Sequence, residues 1–242
     1  MAFSAGLTSS GARRSHFGVG VAAGVHVGSG VGVNGCTVEV GLRVVAVEVG
    51  PGDGDASGVA VTLEVARLLS RLDEQPQRTL RFIGYGAEEQ LSEGSRQYAL
   101  THRDEVDHTR LCIQLDSVGS AAGRNEARVV GSPALVEAVR GIADYPCQVL
   151  AEVSPYSDMF AFNILGAPSV WFYRVNMPGM RYFHHSSLDD LPVVSADQIA
   201  RTATATARLA YLAAYLDPPW ERAIPDDQAA TIAQHAKVFY GL

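Results

Sequence analysis

Short apolar runs rich in β-branched and aromatic residues alternate along the chain with longer segments of helical periodicity. The runs predict strands at 42–49, 79–85, 110–116, 148–153 and 166–173. The periodic segments predict helices at 57–72, 92–100, 134–142, 158–164 and 196–215, with a last short helix at 227–238. Strands that alternate with helices predict an α/β fold of three layers, with a mostly parallel central sheet between two layers of helices.

The first predicted helix follows a Gly-rich turn, 50–58, that contains Asp53 and Asp55. Asp and Ser residues before a periodic run are typical helix caps, and Val59, Leu63, Ala66 and Leu69 are predicted to share the buried face. The acids have two equally weighted interpretations. They form the turn and cap alone, or one of them faces the sheet edge close to Glu89.

The stretch 81–90 is the centre of the chain's candidate chemistry. It predicts a buried strand that ends on Gly84-Tyr85-Gly86 and presents Glu88 and Glu89 at its C-terminal edge, where α/β sheets hold their active sites. Paired acids are also common on solvated surfaces. Asp116 at the end of a second apolar run, and His185 farther along, favour the functional interpretation.

Composition narrows the function classes. The chain has 242 residues, of which 47% are hydrophobic, and a net charge of −7, so it lacks the basic surface that nucleic acid or an anionic membrane would need. Three cysteines without CxxC spacing predict neither a disulfide framework nor a thiolate metal site. No apolar stretch is long enough to span a membrane, and no signal peptide is evident. The chain as given is therefore expected to be cytoplasmic, or secreted if its N-terminal part is not native.

The first fifty residues have an unusual composition, with eleven Gly and twelve Val. Alternating Gly and Val predict an irregular β region, because Gly weakens strands. A second hypothesis is a reading frame that does not match the rest of the gene. We accordingly divide the chain into an irregular segment at 1–41, an α/β domain at 42–217 and a C-terminal tail at 218–242.

Five motifs follow one another along the chain, at 55–60, at 82–89 with Gly94-Ser95, at 115–116, at 157–160 with 166–170, and at 185–189. Taken in this order, they resemble the M28 family of zinc aminopeptidases. The resemblance covers about residues 50–216 and implies a zinc exopeptidase with a mixed eight-stranded sheet. The implied substrates are peptides, from which the N-terminal residue is cleaved.

The resemblance also implies residue roles. Glu88 corresponds to the general base that deprotonates a zinc-activated water, and Glu89 and His185 correspond to ligands of one zinc. Asp116 corresponds to a ligand of the other zinc, and Asp158 to an acid that supports the site by hydrogen bonding. Oxygen and imidazole ligands suit Zn²⁺, which lowers the pKa of a bound water toward ~7.

Two positions depart from the family pattern. Gly54 stands where the family has an Asp that bridges both metals. One of the flanking residues, Asp53 or Asp55, could supply the carboxylate instead, and we favour Asp55. The only residue that could correspond to the first His ligand of the family is His26. The alternative interpretation is that His26 is an ordinary His in an irregular segment. The chain is therefore expected to bind two zinc ions as in the family, or one.

Three functions follow. The first is a zinc aminopeptidase with Glu88 as base and Glu89, Asp116, His185 and Asp55 as ligands. The second is a metal-poor, inactive member that acts as a binding domain. The third is an acyl transferase with a single zinc, similar to glutaminyl cyclases.

Overall fold

A computed structural model describes residues 19–22, 41–47, 55–142, 145–179 and 182–242. In the first two ranges and at residue 55 it describes the backbone alone. The strands in these residues are β1 (Val19–Ala22), β2 (Gly41–Val47), β3 (Leu80–Tyr85), β4 (Thr109–Leu115), β5 (Gly123–Val130), β6 (Gln148–Leu150) and β7 (Ser169–Asn176). The helices are α1 (Asp55–Leu69), α2 (Glu93–Thr101), α3 (Arg103–Asp107), α4 (Pro133–Arg140), α5 (Met159–Ile164), α6 (Ala196–Ala214) and α7 (Asp226–Tyr240), with a 3-10 turn at Leu191–Val193.

The described strands form one mixed sheet of seven strands in the order β1-β3-β2-β4-β7-β5-β6. Every adjacent pair is parallel except β5 and β7, which run antiparallel. The C-terminal ends of β3, β2, β4 and β7 therefore meet at one edge of the sheet. This is the edge at which open α/β sheets bind ligands, and the loops that follow these strands carry the candidate residues.

Helices cover both faces of the sheet, which confirms the predicted three-layer α/β fold. On one face, Leu111, Ile113 and Leu115 of β4 belong to a cluster that includes residues of α1, α4 and α6. On the other face, Cys112 belongs to a cluster that includes Phe162 of α5. Successive β4 side chains thus enter opposite cores, and burying each large apolar side chain stabilises the fold by about 1.5–3 kcal/mol.

Helix α1 differs from its predicted phase. Val61, Val65 and Leu69 are buried, whereas Leu63 is 53% exposed. Apolar residues surround most of this helix, so the pattern did not fix which face turns inward. The helix also begins at Asp55, which places Ser57 inside its first turn instead of at the cap.

Strand β5 and helix α7 complete the part of the fold that borders the site. The pattern of β5 did not predict a strand, because charged residues occupy alternate positions; one of them, Glu126, is buried and pairs with Arg124 (2.5 Å) and Arg128 (3.6 Å). Helix α7 is longer than the predicted 227–238 and packs through Ile232 and Ala236 into a cluster with Val130 and Phe160.

No helix in the described part of the chain is long and apolar enough to cross a membrane.

Candidate active site

The turn after β3 carries the two adjacent acids. It is closed by backbone hydrogen bonds from Ser92 N to Glu88 O (2.8 Å) and from Gly94 N to Gly86 O (3.1 Å). Gly94 lies so close to the turn that a Cβ atom there would stand 2.2 Å from Gly86 O. The glycine of this motif therefore allows α2 to begin directly against the turn that holds Glu88 and Glu89.

Asp116 follows β4 and is held by two serine hydroxyls. Ser157 Oγ donates to Asp116 Oδ2 over 2.9 Å, and Ser117 Oγ donates to Oδ1 over 3.2 Å. Burial raises the pKa of the Asp116 carboxyl above its ordinary value, and the two serine hydrogen bonds oppose this shift. The charge of Glu89 raises the same pKa further and that of His185 lowers it, so all three groups lie within electrostatic reach of one another.

His185 reaches the site from the loop that follows β7. Its Nε2 lies 2.6 Å from Glu89 Oε1, and the two side chains remain 61% and 58% exposed. The ring of His184 stacks on that of His185, with centroids 4.0 Å apart. The structure thus brings Glu89 and His185, 96 positions apart in sequence, into direct contact at a place that is open to solvent.

Backbone strain is concentrated in these same segments. Among the described residues, the non-glycine residues with positive φ are Ala87, Leu91, Ser92, Ser117 and His185. Each such conformation costs on the order of 1–3 kcal/mol and persists only where the surrounding contacts enforce it. The strained residues adjoin the two acids, follow Asp116, or are the histidine itself, as is typical of active sites.

Asp158 lies immediately before α5 and is fully buried. Its charge, like that of Glu88, raises the pKa of Tyr240 at the end of α7. Both acids therefore lie within electrostatic reach of the same phenol, and Ser157, which donates to Asp116, precedes Asp158 in the same turn. The predicted supporting acid is thus adjacent to the Asp116 group.

Three of the predicted or considered ligands cannot be placed. His26 and Asp53 lie outside the described residues, and Asp55 is the first residue of α1, but its side chain is outside the description as well. Within the described ranges no group of three or more His, Cys, Asp or Glu side chains is arranged to hold a metal ion. The observed donors are the contacting pair Glu89 and His185, with Asp116 close enough to interact electrostatically.

Ser157 is part of a sequence motif, but the sequence alone predicted no role for it. The structure shows that its hydroxyl orients one oxygen of Asp116. Ser57 was predicted as a helix cap, but its Oγ instead accepts a hydrogen bond from Val118 N (3.0 Å) and ties α1 to the segment after Asp116. Both serines follow small polar motifs whose partners lie far away in the chain, so the motif was visible but its contact was not.

Comparison with known proteins identifies the fold family. The family described as Peptidase family M28 matches residues 41–210. The chain belongs to peptidase family M28. The match includes Glu88, Glu89, Asp116, Asp158 and His185, whereas His26 and Tyr240 lie outside it.

The relatives of the chain are peptidases. The chain is 25% identical over 179 residues to carboxypeptidase Q of Rattus norvegicus, a match that covers 67% of this chain and 35% of that protein. A probable zinc metalloprotease of Phaeosphaeria nodorum is 39% identical over 67 residues, which cover 28% of this chain and 13% of that protein.

Solved structures share the fold. An aminopeptidase from Aneurinibacillus sp. strain AM-1 superimposes with a TM-score of 0.61 at 29% identity, over 79% of this chain and 48% of that one. A zinc aminopeptidase from Bacillus subtilis has a TM-score of 0.65 at 22% identity, over 80% of this chain and 51% of that one. The chain thus spans about a third of the length of carboxypeptidase Q and about half of the length of each of these two aminopeptidases.

Proposed function

We propose that this chain is a zinc-dependent aminopeptidase domain that hydrolyses the N-terminal peptide bond of peptides. The observation that carries the proposal is the contact between Glu89 Oε1 and His185 Nε2, in electrostatic reach of Asp116. A carboxylate and an imidazole that converge in an open site, next to a second carboxylate, form a donor set that suits zinc. Peptidase relatives, among them zinc aminopeptidases of the same fold, support this assignment.

Glu89 and His185 would hold one zinc and Asp116 the other, with Asp55 as the further ligand that we expect from the N-terminal turn; a single zinc held by part of this set is the alternative. Bound zinc would supply Lewis-acid chemistry, lowering the pKa of a water toward ~7 and polarising the scissile carbonyl. Ser157 and Ser117 fix the Asp116 oxygens, and such hydrogen bonds to a ligand keep it oriented toward a metal.

Glu88 is assigned as the general base. Adjacent carboxylates in a turn point in different directions, so Glu88 and Glu89 can serve different roles, and Glu89 is the one that contacts His185. Glu88 takes a proton from the attacking water and delivers it to the departing amine nitrogen as the C–N bond breaks. Asp158 is buried, and its charge, like that of Glu88, affects the phenol of Tyr240, so it would help to set the electrostatic surroundings of this base.

The end of the peptide at which cleavage occurs needs a direct test, because the relatives include both a carboxypeptidase and aminopeptidases. Three synthetic peptides of one sequence decide it: unblocked, N-acetylated and C-terminally amidated. An aminopeptidase releases the first residue from the unblocked and amidated peptides and leaves the acetylated peptide intact. Cleavage of the acetylated peptide from its C-terminal end would contradict the proposal.

Zinc per chain, measured by elemental analysis, accompanies the assay and separates the alternatives. Glu88→Gln should keep its zinc while the rate falls by about 10²–10⁴, since proton transfer is lost and ligation is not. Glu137→Gln, which changes an exposed acid of α4, is the matched control and should retain full activity.

The other functions predict different results. Absence of both zinc and hydrolysis would favour the binding domain. One zinc together with loss of ammonia from a peptide with N-terminal Gln would favour the cyclase-like acyl transferase. A Glu88→Gln variant as active as the original chain would remove Glu88 from the mechanism.

A further inference from the structure

The last turn of α7, residues 235–240, contacts the Ser157–Asp158 turn on both sides. The ring of Phe239 lies edge-on to that of Tyr156, with centroids 5.5 Å apart, and the ring of Tyr240 lies 5.7 Å from that of Phe160. Tyr156 and Phe160 flank the two site residues in sequence. The helix end therefore holds the segment that delivers a hydroxyl to Asp116.

Tyr240 also contacts the second site segment. The guanidinium carbon of Arg96 stands 4.3 Å from the centre of the Tyr240 ring, a cation–π geometry. Arg96 belongs to α2, which begins after the turn of Glu88, and its guanidinium also pairs with Glu93 at 3.2 Å. One aromatic ring is thus packed between the starts of α2 and α5.

The electrostatics of Tyr240 agree with this position. Burial raises the pKa of its phenol, the nearby Ser92 hydroxyl and Arg96 lower it, and the charges of Asp158 and Glu88 raise it. Its hydroxyl oxygen is buried. The charges of both acids affect the pKa of the Tyr240 phenol, as expected for a side chain that lies between the two segments that carry them.

We propose that the end of α7 is a built-in positioning element of the active site, with the Tyr240 ring as its central positioning residue. The ring couples the Glu88 turn, through Arg96, to the Ser157–Asp158 turn, through Phe160. The consequence for catalysis rests on the proposed function, whereas the coupling itself does not. This element lies outside residues 41–210, the part of the chain that matches the family.

Hydrogen–deuterium exchange of the metal-free full chain tests the coupling without relying on activity. Tyr240→Ala should make amides in 86–96 and in 154–160 exchange several-fold faster, while α6 stays unchanged, because only the two held segments lose a packing partner. Tyr240→Phe keeps the ring and should restore the original exchange. Val238→Ala, in the same turn but 71% exposed, is the control and should have no effect.

Zinc binding and kinetics add a second readout. Tyr240→Ala should weaken zinc binding by about 10-fold or more, the usual effect of losing support behind a ligand, and lower kcat with little change in KM. Unchanged exchange in both segments, or faster exchange spread equally over α6, would overturn the inference. Changed exchange in a chain that never hydrolyses peptides would instead uphold the coupling and refute the proposed function.

Discussion

Replacing Asp116 by Asn should stabilise the metal-free chain and weaken its zinc binding. Burial raises the pKa of Asp116, which means that the folded state disfavours the charged carboxylate. Asn is neutral, has nearly the same shape and keeps an oxygen that can accept from Ser157. Removing a disfavoured charge from a functional site commonly adds about 0.5–2 kcal/mol to the free energy of unfolding.

The pH dependence follows from the direction of the shift. A carboxyl with a raised folded-state pKa destabilises the fold above that pKa, and the penalty disappears as the pH falls below the unfolded value of about 3.9. The gain from Asp116→Asn should therefore be present at pH 8 and vanish near pH 4. For a domain of this size, 1 kcal/mol corresponds to about 2–4 °C in melting temperature.

Thermal unfolding of chelator-treated protein at several pH values measures the gain. Added zinc should reverse the order, because it stabilises the original chain by mass action and the variant much less. Asp73→Asn, an exposed acid in the α1–β3 connection, is the control and should leave both curves in place. An apo variant that melts below the original chain at pH 8 would refute the argument, as would a gain that persists at pH 4.

Two further predictions concern the other site segments. His185→Ala should change the free energy of unfolding of the apo chain by less than about 1 kcal/mol, because its pair with Glu89 is exposed. The same change should abolish most zinc binding. A loss of several kcal/mol, measured by urea unfolding, would contradict this prediction. Gly94→Ala should lower the free energy of unfolding by about 1–3 kcal/mol and reduce the rate of peptide hydrolysis, because its Cβ would collide with Gly86 O. Gly141→Ala, whose Cβ would make ordinary contacts of 3.4 Å, is the control and should be tolerated. Equal melting temperatures for the two variants would refute the close-approach argument.

The sequence predicted most strands and helices because their apolar runs are long and their boundaries carry Gly, Pro or Ser. The prediction missed β5, where Arg124, Glu126 and Arg128 give the appearance of a loop. The ion pairs that compensate the buried Glu126 exist only once β5 lies against β7, and an antiparallel neighbour cannot be inferred from local pattern. The phase of α1 was wrong at Leu63 for a related reason, since apolar residues on most sides leave the buried face to tertiary packing.

The site was predictable as a set of residue types at the ends of strands, and the structure brings Glu89 and His185 together accordingly. The contact between Ser157 and Asp116 was not predictable, since 41 positions separate them and neither motif contains the other. No signal at all pointed to Tyr240, because an aromatic residue near the end of a helix is common in any chain. The roles of Glu88 as base, of Asp158 as supporting acid, and of Glu89, Asp116, His185 and Asp55 as metal ligands all remain predictions.

The described site residues are held in two different ways. This difference explains why substitutions at the site should affect the stability of the apo chain and its zinc binding differently. Asp116 is held by two serines in a partly buried place that disfavours its charge, whereas Glu89 and His185 meet in an exposed pair whose histidine has a strained backbone. Neither arrangement is one that folding alone would favour, since the apo chain gains little from an exposed ion pair and loses from the desolvated Asp116 carboxylate. A bound cation would reverse both terms at once, which is the physical reason to expect that these three side chains are maintained for a metal.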